Sequence, residues 1–418
     1  MPPSHPPRRA PAAAAAALAL ALCLLAAAAP RAAAAEGGSG GSAPLNNTVT
    51  QWTDLAQDAV RTYGIQNQLS NRVYALVALA QLRAIDDNPN VDPSAAAAIA
   101  GHAVLSTLFP WKQSDVYDNA LKSQLAAAPK KPQAEAQRKI AAAAGALVKT
   151  AIGGASAEFP SDFKYAEKGT AGLFKYQPTP GQKYPRLSEV ARAYKPPSPR
   201  GVDYDETYRL GGKDSKERGQ EQADVALFWA DGANTSAISG HWLNITTRVL
   251  PKDTSVRDTA LTLARAFVAA WDASIACWKV KYGVLHWRPV TAFNSGWPAA
   301  DGIKAFSPDA NWTQLLSRTP PHPEYPSGHQ CTVGAVLEAL VRTLGTDKVD
   351  FSIGSEGTPW LGERSYDSLA AAAAEVGESR LWGGVHFRSA NEDGVKLGRQ
   401  VAGEVFDTIG SKKGGSRH

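Results

Sequence analysis

Apolar residues with a helical period recur along most of this chain, and segments with the two-residue alternation of β-strands are almost absent. Val73, Leu76 and Val77, for example, fall on one helix face. Asp92, followed by proline, predicts a helix start, and Gly153 predicts the end of another helix. The pattern predicts an all-α protein built from helical bundles, in which the apolar stripes form the core.

The first 35 residues predict a secretory signal peptide. A cationic start precedes an Ala/Leu run from Ala12 to Ala29, and small residues precede Glu36. A signal anchor and an organellar transit peptide are the alternatives. Alanine is only weakly hydrophobic and Pro30 follows the run, which argues against an anchor, and serine is scarce for a transit peptide. We expect a mature protein that is secreted, or in the lumen of the secretory pathway, and does not span a membrane.

Composition and charge exclude some classes of partner. The 418 residues are 44% hydrophobic and 20% charged, as in a globular protein. The net charge of +5 is carried in part by Arg8, Arg9 and Arg31, within the segment predicted to be removed. The mature protein is therefore close to neutral, and charge indicates neither nucleic-acid nor membrane-surface binding.

Changes in composition predict the organisation of the chain. A flexible lead-in covers 36–49, an N-terminal helical bundle 50–152, an irregular connecting region 153–254, a C-terminal catalytic helical domain 255–410 and a frayed tail 411–418. Four N-glycosylation sequons fit a secreted glycoprotein: Asn46, Asn234, Asn244 and Asn311. Beyond the signal, Cys277 and Cys331 remain, and both a disulfide and two buried free thiols are compatible with the sequence.

The stretch PHPEYPSGHQC, from Pro321 to Cys331, predicts an anion site. Ser327, Gly328 and His329 directly precede an apolar run with helical period that ends at Gly345. A loop leading into a helix N-terminus carries free N–H groups and a partial positive charge, which favour a bound oxyanion. The histidine can move protons.

Three cations elsewhere could complete this site. Lys281 extends a stripe of a long predicted helix, Arg288 follows shortly after it, and Arg380 precedes His386. Each alone is typical of a surface charge. Together, guanidinium groups can bind a tetrahedral oxyanion bidentately while lysine adds a point charge. Three other histidines are predicted to be structural or surface residues: His102, His241 and His286.

Three spaced blocks resemble the signature of one superfamily: Lys281-x6-Arg288-Pro289, Pro326-Ser327-Gly328-His329 and Ser379-Arg380-x5-His386. This superfamily joins the type-2 phosphatidic-acid phosphatases, the bacterial acid phosphatases and the vanadium-dependent haloperoxidases. Further stretches are similar to its soluble haloperoxidase-like branch: LSNRVYALVALA, FWADG (228–232), GHW (240–242) and AWDASIACWKVKYGVLHWRPVTAF (270–293). The resemblance covers most of the mature chain and implies two interlocked helical bundles, with the site in the C-terminal one.

The resemblance implies a vanadate-dependent haloperoxidase that oxidises halide with hydrogen peroxide and halogenates small organic substrates. Five residues would hold the vanadate oxygens: Lys281, Arg288, Ser327, Gly328 and Arg380. His386 would be the axial ligand to vanadium, His329 the general acid/base, and Lys281 would polarise bound peroxide. Trp278 and His322 would form the halide pocket. Bromide-type members carry a histidine at the latter place and chloride-type members a phenylalanine, so bromide or iodide is favoured.

Two other functions stay open. The same residues holding phosphate would serve a secreted acid phosphatase or phosphatidate phosphatase, with His386 as nucleophile. The motif usually continues to an aspartate that orients this histidine, but Ala390 stands there. Asp393, Glu392 or a backbone carbonyl could substitute for it. A helical binding or storage protein with a decayed site is the third interpretation, although retention of every oxyanion ligand argues against it.

Overall fold

The computed structural model describes residues 43–65, 67–153, 193–194, 201–298 and 304–410. The predicted signal peptide, the C-terminal tail and much of the connecting region lie outside these ranges. Helices dominate the described residues, which confirms the all-α prediction.

The N-terminal half contains the predicted series of helices. They are α1 (Thr48–Thr62), α2 (Asn67–Asp86), α3 (Pro93–Leu108), α4 (Asp118–Ala127) and α5 (Ala134–Gly153). A 3-10 turn at Pro110–Lys112 and a π-helical turn at Gln113–Tyr117 connect α3 to α4. The predicted start of α3 is confirmed, because the Asp92 side chain accepts a hydrogen bond from the Ala95 N–H at 3.0 Å.

Helices also occupy part of the region predicted to be irregular. They are α6 (Gly201–Gly211), α7 (Gln220–Phe228) and α8 (Ala237–Val249). Irregular chain is therefore the wrong description of 201–249. Glycine and proline around these short helices mask their period, and tertiary contacts stabilise them: Tyr204 of α6 packs on Phe387, with ring centroids 4.2 Å apart.

The C-terminal half carries the remaining elements. Its helices are α9 (Val256–Val284), α10 (Pro289–Ser295), α11 (Gly328–Leu344), α12 (Leu369–Trp382) and α13 (Arg388–Val405). Strands β1 (Phe351–Gly354) and β2 (Glu363–Tyr366) form an antiparallel hairpin between α11 and α12, with Phe351 opposite Tyr366. Short 3-10 turns lie at Pro359–Leu361 and Phe406–Thr408.

Helix α9 is the central element of the core. It contacts α2 of the N-terminal half as well as α11 and α13, and Tyr74 meets Phe267 with ring centroids 5.6 Å apart. One hydrophobic cluster joins residues from both halves, so the two bundles are interlocked. The chain from Val256 to Ser295 is apolar and long enough to cross a membrane, but 89% of its apolar window is buried in the protein.

Glycines bring α11 and α13 into close contact. A Cβ on Gly398 would lie 2.2 Å from the Cys331 carbonyl oxygen, and one on Gly334 would lie 2.3 Å from that of Val395. The small face predicted on the last helix therefore allows the backbones to meet. The contact fixes the N-terminus of α11 beside the start of α13, directly after His386.

Candidate active site

Ser327 occupies the N-cap of α11 but does not cap the helix. Its backbone N–H donates to the Ala390 carbonyl at 2.8 Å, while its Oγ is buried and has no hydrogen-bond partner. A buried hydroxyl without a partner is costly unless a ligand satisfies it. The hydroxyl is therefore placed to meet an oxyanion at the helix N-terminus.

Gly328 lets the helix start approach an aromatic ring. A Cβ at this position would lie 3.0 Å from the Trp278 ring. The same ring lies 4.8 Å from the His322 ring, measured between centroids, and 5.4 Å from Lys281 Nζ, measured from its centroid. The structure thus brings both predicted halide-pocket residues together beside the helix N-terminus.

Three buried cations surround this point, each from a different element. Lys281 lies near the end of α9, Arg288 is the N-cap of α10 and Arg380 lies in the last turn of α12. Burial lowers the pKa of Arg380 to about 10, and the Arg288 charge acts in the same direction. Burial also lowers the pKa of Lys281 to about 8, again with a contribution from Arg288. Arg288 therefore repels both of the other cations. We call the space surrounded by Lys281, Arg288 and Arg380 the cation cage.

Backbone carbonyls accept the hydrogen bonds of Lys281. Its Nζ donates to Pro323 and Glu324 at 2.9 Å each, and also to Pro326. These bonds hold the loop before α11 against α9. Lys281 thus supplies charge to the cage while its hydrogens point at the loop, which differs from the direct oxygen ligand that the resemblance implies.

His386 is held in one tautomer. Its Nδ1 lies 2.9 Å from Glu324 Oε1, and its Nε2 lies 3.2 Å from Arg288 Nη1. A guanidinium group only donates, so Nε2 accepts and Nδ1 carries the hydrogen. Burial and the nearby Arg288 charge lower the pKa of His386 well below its ordinary value, which favours the neutral ring. A neutral histidine with its Nε2 lone pair in the cage can serve as a ligand or a nucleophile.

His329, the third residue of the Ser-Gly-His motif, also presents a ring nitrogen. Among the described residues, its Nε2 is buried without a hydrogen-bond partner. The ring makes a hydrogen bond with the backbone of Ala230. Burial and the Arg380 charge lower the pKa of His329 well below its ordinary value. The neutral ring can therefore accept a proton from a ligand in the cage.

The FWADG segment supports the cage from behind. The Trp229 carbonyl lies 3.5 Å from Arg380 Nη1, and Ala230 contacts His329. Asp231 Oδ1 lies 3.1 Å from Nδ1 of His241, whose buried ring stacks on Trp229. Among the described residues, the Nε2 of this buried histidine has no hydrogen-bond partner.

Sequence reasoning missed Glu324. It is fully buried, and its Oε1 accepts from His386 Nδ1 and from the Phe387 N–H at 3.0 Å. Its Oε2 lies 2.8 Å from His286 Nδ1. Burial raises the pKa of Glu324, but the bonds from His286 and His386 outweigh it and hold this pKa below the ordinary value. A single acidic residue in the loop just before the Ser-Gly-His motif was the available signal.

Neither proposed substitute for the motif aspartate contacts His386 through a hydrogen bond. Asp393 accepts one from the Tyr325 hydroxyl at 2.7 Å, and Glu392 is exposed. Ala390 is fully buried and its carbonyl accepts from Ser327. The prediction of Asp393 or Glu392 was therefore wrong, since the orienting carboxylate comes from the loop before α11.

The two cysteines lie behind the cage as free, buried thiols. The Cys277 Sγ is 3.8 Å from the Pro326 carbonyl oxygen, and the two thiols contact each other. Of the two alternatives, the structure shows free thiols.

The residues present fit vanadate. Three buried polar atoms of the cage have no hydrogen-bond partner among the described residues: Ser327 Oγ, His329 Nε2 and Arg380 Nε. Lys281, Arg288 and Arg380 make the cage positive despite the buried carboxylate of Glu324. A bound tetrahedral oxyanion would satisfy both the three atoms and this charge. Among the described residues, no group of three or more His, Cys, Asp or Glu side chains forms a conventional cation site. His386 Nε2 would reach the central atom, and the other residues would hold its oxygens.

Comparisons with known proteins find similarity to vanadium haloperoxidases. A protein-family model described as the VCPO second helical-bundle domain matches residues 262–413, which include all three motif blocks. A vanadium chloroperoxidase from Curvularia inaequalis is 28% identical over 176 residues. That match covers 36% of this chain and 29% of the length of the relative.

Solved structures share the fold. A structure described as the first bacterial vanadium-dependent iodoperoxidase aligns with a TM-score of 0.66 and 22% identity, over 89% of this chain and 100% of that one. A holo-type bacterial vanadium-dependent chloroperoxidase aligns with a TM-score of 0.58 and 16% identity, over 87% and 97%. The chain thus has the helical-bundle fold of the vanadium haloperoxidases, and its residues 262–413 match the model of the VCPO second helical-bundle domain.

Proposed function

We propose that this protein is a vanadate-dependent haloperoxidase that oxidises halide with hydrogen peroxide. The observation that carries the proposal is the cation cage itself. Lys281, Arg288 and Arg380 are buried around a histidine whose Nε2 lone pair is held by hydrogen bonds in the orientation that a ligand requires. Bound vanadate would supply a Lewis-acidic centre that activates peroxide toward halide.

The protein's own groups have distinct roles in this reaction. Ser327, the N-terminus of α11 and the two arginines bind and orient the oxyanion. His329 Nε2 would accept a proton from hydrogen peroxide in the cage and would hold it for return to an oxygen that departs as water. Lys281 holds the loop and adds positive charge, and burial of the whole cage excludes water.

Bromide or iodide is the proposed halide. His322 lies against Trp278 at the cage, and its Nδ1 is 3.1 Å from Arg288 Nη2. The same Nδ1 is 3.3 Å from the Pro323 carbonyl oxygen. The contact with the guanidinium group, which only donates, is the shorter one, so Nδ1 accepts and Nε2–H can face an anion. One similar structure is described as an iodoperoxidase, which supports the proposal for this chain.

A phosphatase is the second candidate, and Glu324 is the observation that favours it. A nucleophilic histidine needs a carboxylate to orient it and to stabilise its charged form. Glu324 provides this at 2.9 Å from His386 Nδ1, so Ala390 no longer argues against phosphoryl transfer. The same cage would bind the phosphate group of a phosphomonoester.

One experiment separates the two functions. Purified protein is assayed with and without orthovanadate for peroxide-driven bromination of a phenol and for release of phosphate from an aryl phosphate. We expect bromination that depends on vanadate. Phosphatase turnover inhibited by vanadate, without bromination, would establish the second candidate instead.

Histidine variants link the activity to the cage. His386→Ala should abolish either activity, since it removes the ligand or nucleophile. His102→Ala is the matched control, because this histidine pairs with Asp118 on the N-terminal bundle, away from the cage. Equal loss in both variants, or full activity in His386→Ala, would contradict the assignment, whereas a wild-type protein that lacks both activities would favour a decayed site.

We also propose secretion with removal of residues 1–35, from the cationic start and Ala/Leu run of the N-terminus. N-terminal sequencing of protein from the culture medium should begin at Glu36. An intact N-terminus on membrane-bound protein would instead indicate a signal anchor.

A further inference from the structure

A chain of hydrogen bonds leads from Trp287 and Tyr204 to the cation cage. Trp287 Nε1 donates to the Tyr204 hydroxyl oxygen at 2.9 Å, and this hydroxyl lies 3.1 Å from His286 Nε2. Burial raises the pKa of Tyr204 above its ordinary value, so the phenol keeps its hydrogen. An indole N–H can only donate, so the hydroxyl oxygen accepts from Trp287. On the other side of the ring, His286 Nδ1 faces a carboxylate oxygen of Glu324, which only accepts, so Nε2 of the neutral ring takes the hydrogen of the hydroxyl.

The orientation of His286 follows from this contact. Because its Nε2 accepts from Tyr204, its Nδ1 carries the hydrogen and donates to Glu324 Oε2 at 2.8 Å. The ring of His286 is mostly buried, with 16% of its side chain exposed. His286 thus donates to Oε2 of Glu324 from the side opposite the cage.

The other carboxylate oxygen is reserved for the cage histidine. Glu324 Oε1 accepts from His386 Nδ1 and from the backbone N–H of Phe387. These two bonds fix both the tautomer of the ring and its rotation. On the far side of the ring, Nε2 accepts from Arg288. In each hydrogen bond between Trp287 and His386, the donor and the acceptor are therefore fixed.

We propose that Glu324 is a positioning residue that keeps His386 as the Nδ1–H tautomer, with Tyr204 and His286 orienting Glu324 in turn. The proposal rests on the proposed function only in taking the cage as the place where an oxyanion binds. It assigns roles to a glutamate, a histidine and a tyrosine outside the three motif blocks.

Removing the carboxylate should release the imidazole. The ring lies among positive charges, so without an acceptor at Nδ1 the hydrogen can move to Nε2, and the lone pair turns away from the cage. Loss of such a hydrogen-bond partner behind a metal-ligating histidine typically lowers affinity by about 10–100-fold. Glu324→Leu keeps a side chain of similar size while removing the charge and both acceptor oxygens.

The test reads the tautomer directly, without cofactor. Full-length protein labelled with 15N-histidine gives ring nitrogen shifts that distinguish Nδ1–H from Nε2–H, and His386→Asn assigns the signal. We expect Nδ1–H in the wild type and loss of this state in Glu324→Leu. Calorimetric titration with orthovanadate should show affinity lower by about 10–100-fold in the variant, with partial recovery in Glu324→Asp.

The matched control is Asp393→Asn, which changes the carboxylate that bonds Tyr325 instead of His386. It should retain both the tautomer and the vanadate affinity. Tyr204→Phe removes only the outer hydroxyl, so it should alter the His286 signal and weaken vanadate binding less than Glu324→Leu does.

Several results would overturn the proposal. They are an Nε2–H tautomer of wild-type His386, an unchanged tautomer in Glu324→Leu, or an equal effect of Asp393→Asn. If Glu324→Leu does not fold, the wild-type tautomer and the Tyr204→Phe spectrum decide. Absence of halide oxidation would contradict the proposed function but not the role of Glu324, because the tautomer is measured without vanadate, peroxide or halide.

Discussion

Lys281 shows how one residue connects core and chemistry. It is fully buried in the last turns of the core helix, and its hydrogens go to loop carbonyls. In the part of the chain that the structure describes, no hydrogen bond to a carboxylate compensates its charge, and Arg288 acts to lower its pKa. A site built in this way favours an anion over water.

This depressed pKa predicts the pH dependence of anion binding. Burial lowers the pKa of Lys281 to about 8, so the ammonium form is present below that pH and is lost as the pH rises through it. Affinity for an oxyanion that does not itself titrate, such as tungstate, should therefore fall above pH about 8, by at most tenfold per pH unit.

Calorimetric titration from pH 6.5 to 9.5 would measure this fall. Lys281→Met should bind more weakly at low pH and lack the inflection. A wild-type affinity that stays constant across pH 8 would contradict the assignment.

Gly328 predicts a second effect at the residue scale. A Cβ here would lie 3.0 Å from the Trp278 ring, so Gly328→Ala should displace the ring from His322. We expect weaker halide binding, seen as a raised KM for bromide. The free energy of unfolding should fall by roughly 1–3 kcal/mol. An unchanged KM in steady-state bromination would show that the ring is not part of the halide pocket.

Most cage residues could be predicted from the sequence because they lie in short blocks with fixed spacing. Ser327, Arg380 and His386 are examples. Glu324 could not, because its role depends on a loop folding back against the turn after α12, and no local pattern encodes that approach. Orientation was also hidden: the spacing could not show that the Lys281 hydrogens point at the loop.

At the level of elements, the contact between α11 and α13 holds the site together. Glycines on both helices allow it, and it places Ser327 next to Ala390. The two histidines of the cage lie near the starts of these helices. Their separation is therefore set by backbone contact, which is stiffer than contact between side chains.

This contact predicts a contrast between two glycines of α13. Gly398→Ala would place a Cβ 2.2 Å from the Cys331 carbonyl, so it should destabilise the protein by about 1–3 kcal/mol. At Gly403 the nearest atom is Arg342 Nη2, at 3.2 Å on a flexible side chain. Gly403→Ala should be neutral or stabilising by up to about 1 kcal/mol.

Thermal and urea unfolding would compare these two variants. Equal stability of both would show that the helices can separate without cost. A loss confined to Gly403→Ala would reverse the assignment of the close contact.

Helices with strong caps and apolar stripes were predictable, as the Asp92 cap of α3 shows. The β1–β2 hairpin and α6 were not. Each strand has four residues, too few for a clear alternation, and α6 is stabilised by rings such as Phe387 that are far away in sequence. Tertiary contact outweighs local propensity in such short elements.

For the whole molecule, the buried positive charge predicts stabilisation by ligand. An oxyanion that binds only the folded state adds about 2.7 kcal/mol at a concentration 100 times its Kd. Vanadate, phosphate or tungstate should therefore raise the melting temperature by several degrees, as measured by differential scanning fluorimetry.

Chloride at the same ionic strength should have little effect on the melting temperature, because it cannot bridge the cage. Arg380→Ala should reduce the shift caused by the oxyanions. An equal shift with chloride would mean that general screening, and not the cage, is responsible.

The surface predicts where sugars attach if the protein is secreted. Asn46, Asn234 and Asn311 are exposed, so mass spectrometry of secreted protein should find glycans there. Asn244 lies half-buried in α8 and accepts a hydrogen bond from Gln57 at 2.9 Å, so it should stay unmodified. A glycan on Asn244 would mean that modification precedes folding of this helix.

Helix α9 also limits how this protein can be divided. Its buried residues face α2 on one side and α11 and α13 on the other, and it carries Lys281. Neither bundle is therefore a transplantable module, because removing one would leave an apolar flank of the shared helix bare. Recombination between relatives should yield working chimaeras only when both parental neighbours of this helix are inherited with it, so the two halves are expected to evolve as one unit.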